Sequence, residues 1–419
     1  MPTLGPRTLV GLLALGGLAV LPGGAAPAQE AVRRVTLDEA LEAFAENSLA
    51  LKIARSEAAE ARGAARQSGA YFNPSVAFGH DDLANDGERF WEQTVVFAQQ
   101  LEWPGRTLAR RRAVTHATSA TSATFRADMV ELAFEVREAY VLAWLAEEAE
   151  TAVGQAAAVI GRVAADAESR LEAGDISGYE ARRLRLERAR AEQEVAGAAL
   201  RARAARRHLA TLISPGAGAE EVGPAAGPEG VPPPVSREAA LEALRGRPDL
   251  EAAARELDAA EAVAQAERSS WVPMPTLGVG YRHDLDGFGG ASLGFDLPLP
   301  LFDRGGGTRE EALARSSAVA YRLQLRRRLA EYDLLNAMDR YVASRARVEA
   351  AEGLLADSEA LLSPATAAYD ENEMTLLELL DAAGAFQDAR LTVLSLQSEA
   401  WIAYFDLLRA MGRGAEEEP

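Results

Sequence analysis

The stretch Trp91-Glu92-Gln93-Thr94-Val95-Val96-Phe97-Ala98-Gln99-Gln100-Leu101-Glu102-Trp103 decides the fold. Its odd positions are Trp91, Gln93, Val95, Phe97, Gln99, Leu101 and Trp103, whereas the even ones include Glu92, Thr94, Gln100 and Glu102. A period of two belongs to a strand with one apolar face. The pattern returns far downstream: Leu277, Val279 and Tyr281 share a face, as do Leu293, Phe295, Leu297, Leu299 and Leu301 on a returning strand. Aromatic side chains at both ends of an apolar face suit the interfacial girdles of a membrane-spanning β-barrel. The alternative is an amphipathic sheet lying on a soluble core.

Outward from these strands the pattern becomes helical. Alanine-rich stretches at 36–70 and 236–270 precede the two hairpins, 74–103 and 275–302, and proline stops them at Pro74 and at Pro273 and Pro275. After the hairpins come 106–170 and 304–368, which at 1.5 Å per residue span roughly 98 Å each. Leu325, Leu329, Tyr332, Leu335, Met338 and Val342 follow three- and four-residue steps, and Leu394, Trp401 and Leu408 recur every seven. Helices at 177–213 and 376–412 run back from turns near Gly174 and Thr375. These are coiled-coil lengths.

The chain is duplicated. Ala40-Leu41-Glu42-Ala43-Phe44 returns as Ala240-Leu241-Glu242-Ala243-Leu244, and Asn73-Pro74-Ser75-Val76-Ala77-Phe78-Gly79 is echoed by Met274-Pro275-Thr276-Leu277-Gly278-Val279-Gly280. Two structural repeats, 29–213 and 236–412, are expected around a Pro/Gly-rich linker at 214–235, with an acidic tail at 413–419. The fold class is therefore mostly α with a small β part. Four strands cannot close a membrane barrel, since about eight are needed and an open edge in lipid leaves backbone groups unsatisfied. Copies of the chain must complete a ring, for which rotational symmetry is the natural solution.

Composition excludes much else. The 419 residues carry 63 acidic against 44 basic side chains, a formal charge of −19, which lacks the footprint of a nucleic-acid binder. There is no cysteine, no HExxH among the four histidines, and a single lysine, Lys52, outside any glycine-rich loop. A conventional hydrolase or NTPase is not expected, and neither is a cofactor. Residues 1–28 place Arg7 before an apolar stretch from Leu9 to Leu21 and end Ala26-Pro27-Ala28, the order of a cleaved secretory signal. The alternative, an anchor helix, needs ~20 apolar residues. No later stretch offers a transmembrane helix.

Two clusters carry metal-ligand chemistry at matching hairpin ends: His80-Asp81-Asp82, and His283-Asp284 with Asp286. Imidazole with carboxylate could hold a borderline metal transiently; the alternative is a charged polar loop. His116 and His208 lie in helical runs and read as surface or packing residues. Gly105 and Gly305-Gly306-Gly307 sit where strands become helices, and without a partner lysine they read as a bend, not a phosphate cradle.

Taken together, the opening Thr36-Leu37-Asp38-Glu39-Ala40-Leu41, the repeat and the two turns resemble the TolC-like outer-membrane efflux family over nearly all of the chain beyond residue 28. The turns are Ala173-Gly174-Asp175-Ile176-Ser177 and Tyr369 through Thr375-Leu376-Leu377-Glu378-Leu379-Leu380-Asp381. Gln100-Leu101-Glu102-Trp103-Pro104-Gly105-Arg106 and Pro298-Leu299-Pro300-Leu301-Phe302-Asp303-Arg304-Gly305 are similar to the branch serving cobalt-zinc-cadmium export. The resemblance implies a homotrimer with a shared β-barrel in the outer membrane of a Gram-negative-type cell and a helical tunnel in the periplasm. It also implies partners, a periplasmic adaptor and an inner-membrane pump of the RND type, with transport powered by the pump. Drug efflux and type I protein secretion use the same architecture, and a periplasmic coiled-coil protein that never enters a membrane is a rival of another class.

By the same resemblance, Glu378 and Asp381 fall at a constricting acidic ring, and Tyr369 at a position that bonds across to Glu180. The residues Gly174, Asp175, Ile176, Ser177, Asn372, Thr375 and Leu376 fall at the adaptor-contact tip. Two departures stand out: Asn372 replaces a glycine, and Met374 an arginine that often forms a salt bridge in the family.

Overall fold

The computed structural model describes residues 32–214, 221–228, 230–269, 271–371 and 373–414. The leader at 1–28, most of the acidic tail and Asn372 lie outside them. The first half runs β1 (Arg33–Val35), α1 (Leu37–Asn47), α2 (Leu49–Ser68), β2 (Ser75–Asn85), β3 (Glu88–Gln100), α3 (Pro104–Ala173) and α4 (Gly178–Ile213). The second half repeats the order as β4 (Val222–Pro224), α5 (Arg237–Ala243), a 3-10 turn at Leu244–Gly246, α6 (Pro248–Glu267), β5 (Thr276–Asp284), β6 (Gly289–Asp296), α7 (Gly306–Asp370) and α8 (Leu376–Ala410). The 70 residues of α3 and the 65 of α7 reach about 105 and 98 Å.

Two segments that read as single helices are each broken. At Ser48 the backbone turns extended, with ψ 127°, and the hydroxyl accepts from Leu51 N at 3.4 Å to start a new helix. Arg247 is driven to the same ψ because Pro248 follows it, and the ring then opens α6 at its first position. The stretch 297–302, read as continuing strand, lies beyond β6: Pro298 and Pro300 have no N–H to give a ladder.

The helices form a curved wall one helix thick. Near the strands the order is α2, α3, α6, α7; further away it is α4, α3, α8, α7. Alanine dominates the seams, at Ala113, Ala120, Ala133, Ala198, Ala202 and Ala337 among others, which lets helix axes approach to about 8 Å. Midway along the wall β1 pairs in parallel with β4, Arg33 opposite Val222 and Val35 opposite Pro224. Tyr140 Oη on α3 donates to Val35 O (3.2 Å) and Ala226 O (2.8 Å), fixing this girdle to the long helix. Arg206 on α4 holds Glu221 beside this girdle (3.0 Å) and Glu147 on α3 (3.2 Å). Gly227 lies so close over Trp144 that an added Cβ would fall 1.9 Å from the indole nitrogen.

The sheet at the other end is antiparallel throughout, in the order β2, β3, β5, β6. Asp86 (φ 47°) and Gly87 (φ 94°) form the two-residue turn between β2 and β3, with left-handed backbone at both positions as the twist of a tight hairpin requires.

Candidate functional site

The register sorts the sheet into two unlike faces. Val95 lies between Phe78 and Tyr281, Phe97 between Val76 and Val279, Val279 beside Leu293, and Leu277 beside Phe295. All these side chains are exposed, Val279 to 57% and Leu293 to 84%. The opposite face carries Ala77, Gly79, Thr94, Val96, Gly278, Gly280, Ser292 and Gly294, with Arg282 paired to Glu92 at 2.9 Å. Close approach explains one of these glycines, since a Cβ at 280 would sit 2.5 Å from Val95 O and 2.6 Å from Ser292 Oγ.

Among the described residues nothing covers the apolar face, and a patch of such breadth marks contact with a membrane or a partner. Its dimensions match lipid. The 13 residues of β3 span about 44 Å, and at a barrel tilt near 40° cover about 34 Å, close to a ~30 Å hydrocarbon core. Trp91 marks one end; Trp103, Trp271 and the wholly exposed Phe302 mark the other. Both outer strands, β2 and β6, pair on one side only and leave a row of backbone groups open.

At the Trp91 end, His80, Gln93 and His283 share one cross-strand row. The Trp91 ring lies between the imidazoles, 6.5 Å from His80 and 5.6 Å from His283 by centroids. The acids next to them in sequence do not join them. Strand alternation sends Asp81 and Asp284 to the other face, while Asp82 stays with Trp91. Asp284 is also engaged in its own turn, accepting from Phe288 N at 2.9 Å, and Asp286 lies within that turn. Among the described residues no three His, Cys, Asp or Glu side chains converge as a ligand set.

The far end of the wall is built from two helix-turn-helix tips. Gly174, with φ 84°, ends α3, and Asp175 N donates back to Arg170 O at 2.9 Å. Ser177 then opens α4 with a capping box: its Oγ accepts from Glu180 N (3.2 Å), and Ser177 N donates to the Glu180 carboxylate (2.7 Å). Thr375 and Glu378 repeat the device on α8, with the carboxylate accepting from Thr375 N (2.8 Å) and Oγ1 (2.7 Å). These hydrogen bonds hold both glutamates below the ordinary carboxylate range. Asp381 is exposed one turn beyond Glu378 on the same face.

Tyr369 is buried among Val159, Val163, Leu184 and Leu379, with Arg170 over its ring at 5.1 Å. No hydrogen bond joins Tyr369 to Glu180 among the described residues. Ile176, Met374 and Leu376 pack onto the same cluster, so the Met374 side chain is part of a hydrophobic seal. Equivalent positions two residues past each cap, Tyr179 (71%) and Leu377 (58%), expose apolar groups at the tips. With Ser177, Glu180, Arg183, Thr375 and Leu376 they line a groove of about 300 Å³.

A larger concavity of about 880 Å³ lies on the hollow side of the wall, between α2, α3, α6 and α7. Half of its lining is alanine, and it also carries Glu57, Asp128, Glu256, Arg315 and Arg322. Burial pushes the Asp128 carboxyl upward, and the nearby Glu57 and Glu131 charges push the same way.

Residues 240–413 match the sequence profile of the outer membrane efflux protein family. The cobalt-zinc-cadmium resistance protein CzcC of Cupriavidus metallidurans is 26% identical over 392 residues, 92% of each chain. Among solved structures, that of CusC, a transmembrane channel, superposes with a TM-score of 0.76 at 19% identity, over 93% of this chain and 95% of that one. The CmeC outer membrane channel of Campylobacter jejuni gives 0.77 at 16% identity, over 96% of both. The fold is that of the TolC-like outer membrane channels.

Proposed function

From a chain whose residues 240–413 carry an outer membrane efflux protein domain, we propose a homotrimeric conduit across the outer membrane. It is passive, fed by a periplasmic adaptor and an RND-type inner-membrane pump, and it carries heavy-metal cations. The observation that bears most of this weight is the exposed apolar sheet face between two unpaired strand edges. In lipid those edges must be closed by other copies, and three sheets of four strands exceed the eight-strand minimum.

Ring closure also accounts for the helical edge. Tyr321, Leu325 and Tyr332 are exposed on the side of α7 turned away from α6 and α8, and Leu49 and Ile53 are exposed at the start of α2. Neighbouring copies would bury these stripes against each other. The hollow side of the wall then becomes the lumen, where Glu57, Asp128 and Glu256 outnumber Arg315 and Arg322 by one acid per copy.

At the periplasmic end, Glu378 and Asp381 repeated by the symmetry make the selective constriction, with Tyr369 and Glu180 on the helices that hold it. The two tips, Gly174 to Ser177 and Thr375 to Leu376, receive the adaptor in the groove between Tyr179 and Leu377. The choice of heavy-metal cations rests on the likeness to CzcC. In planar bilayers, Glu378→Gln with Asp381→Asn is expected to lower cation over anion selectivity. Unchanged selectivity in an assembled channel would remove these two acids from the constriction.

A further inference from the structure

Where the sheet becomes helix, the arginines divide by direction. Arg106 and Arg110, on the hollow side of α3, are neutralised: Arg106 meets Glu267 at 3.2 Å and Arg110 meets the buried Glu102 at 2.7 Å. Leu108, Arg111 and Arg112 occupy the side of α3 opposite Ala113, Ala117 and Thr121, which line the concavity. All three are exposed. Neither Arg111 nor Arg112 has a carboxylate partner among the described residues, and Arg111 lies over the exposed ring of Tyr71 at 4.7 Å. Arg66 at the end of α2, Arg268 at the end of α6 and Arg304 before α7 are likewise exposed without an ion pair.

Of the acids of this zone, Asp303 accepts from Gly305 N at 2.8 Å and Asp296 lies on the small-residue face of the sheet, while Glu310 and Glu311 are exposed in the first turns of α7. In a chain of net charge −19, unpaired guanidinium groups gathered at one level run against the composition. That level is the edge of the apolar sheet face, beside Trp103, Trp271 and Phe302.

We propose that this arginine collar binds the phosphate headgroups of anionic glycerophospholipids in the membrane leaflet that meets the helices. The inference rests on the membrane reading above. Guanidinium takes phosphate oxygens in a planar fork, and its stacking on Tyr71 presents that fork outward at headgroup depth. The apolar face ends where the collar begins, so one lipid can satisfy both, its chains on Phe97 and Leu277 and its phosphate on Arg111 or Arg112. The collar thereby fixes the depth at which the channel sits.

The test uses the purified, assembled full chain. Insertion into vesicles of phosphatidylcholine alone examines the membrane reading, because neutral lipid does not require the collar. The protein is then offered equal parts phosphatidylcholine and phosphatidylglycerol, and the lipid retained on it is measured by native mass spectrometry. Wild type is expected to enrich phosphatidylglycerol, less so as salt rises. Arg111→Gln with Arg112→Gln is expected to lower the enrichment about tenfold, while Arg188→Gln, far away on α4, leaves it unchanged. A wild type that inserts yet shows no enrichment, or an enrichment indifferent to salt, overturns the collar alone, as does a double variant that keeps the wild-type ratio. A protein that enters neither kind of vesicle overturns the membrane reading and the collar with it. Should the double variant fail to assemble, the salt dependence of wild type decides.

Discussion

Val279→Arg separates a lipid-facing sheet from a soluble one. Val279 is 57% exposed, lies between Phe97 and Leu293, and falls in the middle of the rows running from Leu277 to Tyr281. Were this face in water, a substitution at so exposed a site would change stability by about 0.5 kcal/mol or less. In hydrocarbon an arginine near the midplane costs ~2–4 kcal/mol, and a ring of three copies meets that cost three times, roughly 6–12 kcal/mol per assembly. Ala77→Arg, on the small-residue face, is the control and should stay within about 1 kcal/mol of wild type. The assay is urea unfolding of the vesicle-inserted protein, followed by Trp fluorescence and by unheated gel mobility. Equal stability of Val279→Arg and wild type, or equal loss in both variants, would refute the assignment of the two faces.

At the tips, Thr375→Ala removes both the cap and the hydroxyl held by Glu378, and is expected to destabilise the start of α8 by about 1 kcal/mol, read as faster amide exchange near Leu376 to Leu380 with the sheet unaffected. The capping glutamates also set a pH dependence. Glu180 and Glu378 are held below their ordinary 4.5 by hydrogen bonds made only in the folded tips. Their contribution is therefore present above pH 4.5 and is lost as pH falls through the lower folded values, so tip exchange should accelerate on acidification in that window. Thr375→Ala should shrink the part owed to Glu378, whose strongest bond comes from the Thr375 hydroxyl, whereas Ser177→Ala should leave most of the part owed to Glu180, which rests first on the Ser177 N–H. Gly227→Ala drives a Cβ into the Trp144 ring and should cost about 1–3 kcal/mol, measured as a lowered midpoint of thermal unfolding.

The strand pattern of 91–100 was legible because alternation is a local property, and the register of Val95 and Phe97 with Val279 and Tyr281 keeps it. The helix break at Ser48 was not, since a serine inside an alanine-rich run shows its capping role only once the backbone has turned. Pro248 did carry a signal for the second break, through its restriction of Arg247. The histidine and aspartate clusters looked compact in sequence, yet neighbours in a strand point apart, which left His80 and His283 flanking Trp91 instead of their acids. The concavity was invisible for another reason: Glu57, Asp128, Glu256, Arg315 and Arg322 come from four helices, and each alone reads as a solvated face. Tyr179 and Leu377 could have been found as the apolar residues two past each capping hydroxyl, a repeat the aligned turns already contained.

Closure between copies is the claim on which the account depends most. The chain contains no cysteine, so one introduced on β6, Ser292→Cys, can be combined with a scan along β2 from Ala77→Cys to Gly79→Cys, and the membrane fraction oxidised. The account predicts disulfide-linked species between chains, in a ladder that ends at three, from those pairs the neighbouring register brings together. Chains that remain single across the whole scan, or a ladder that continues beyond three, would contradict it.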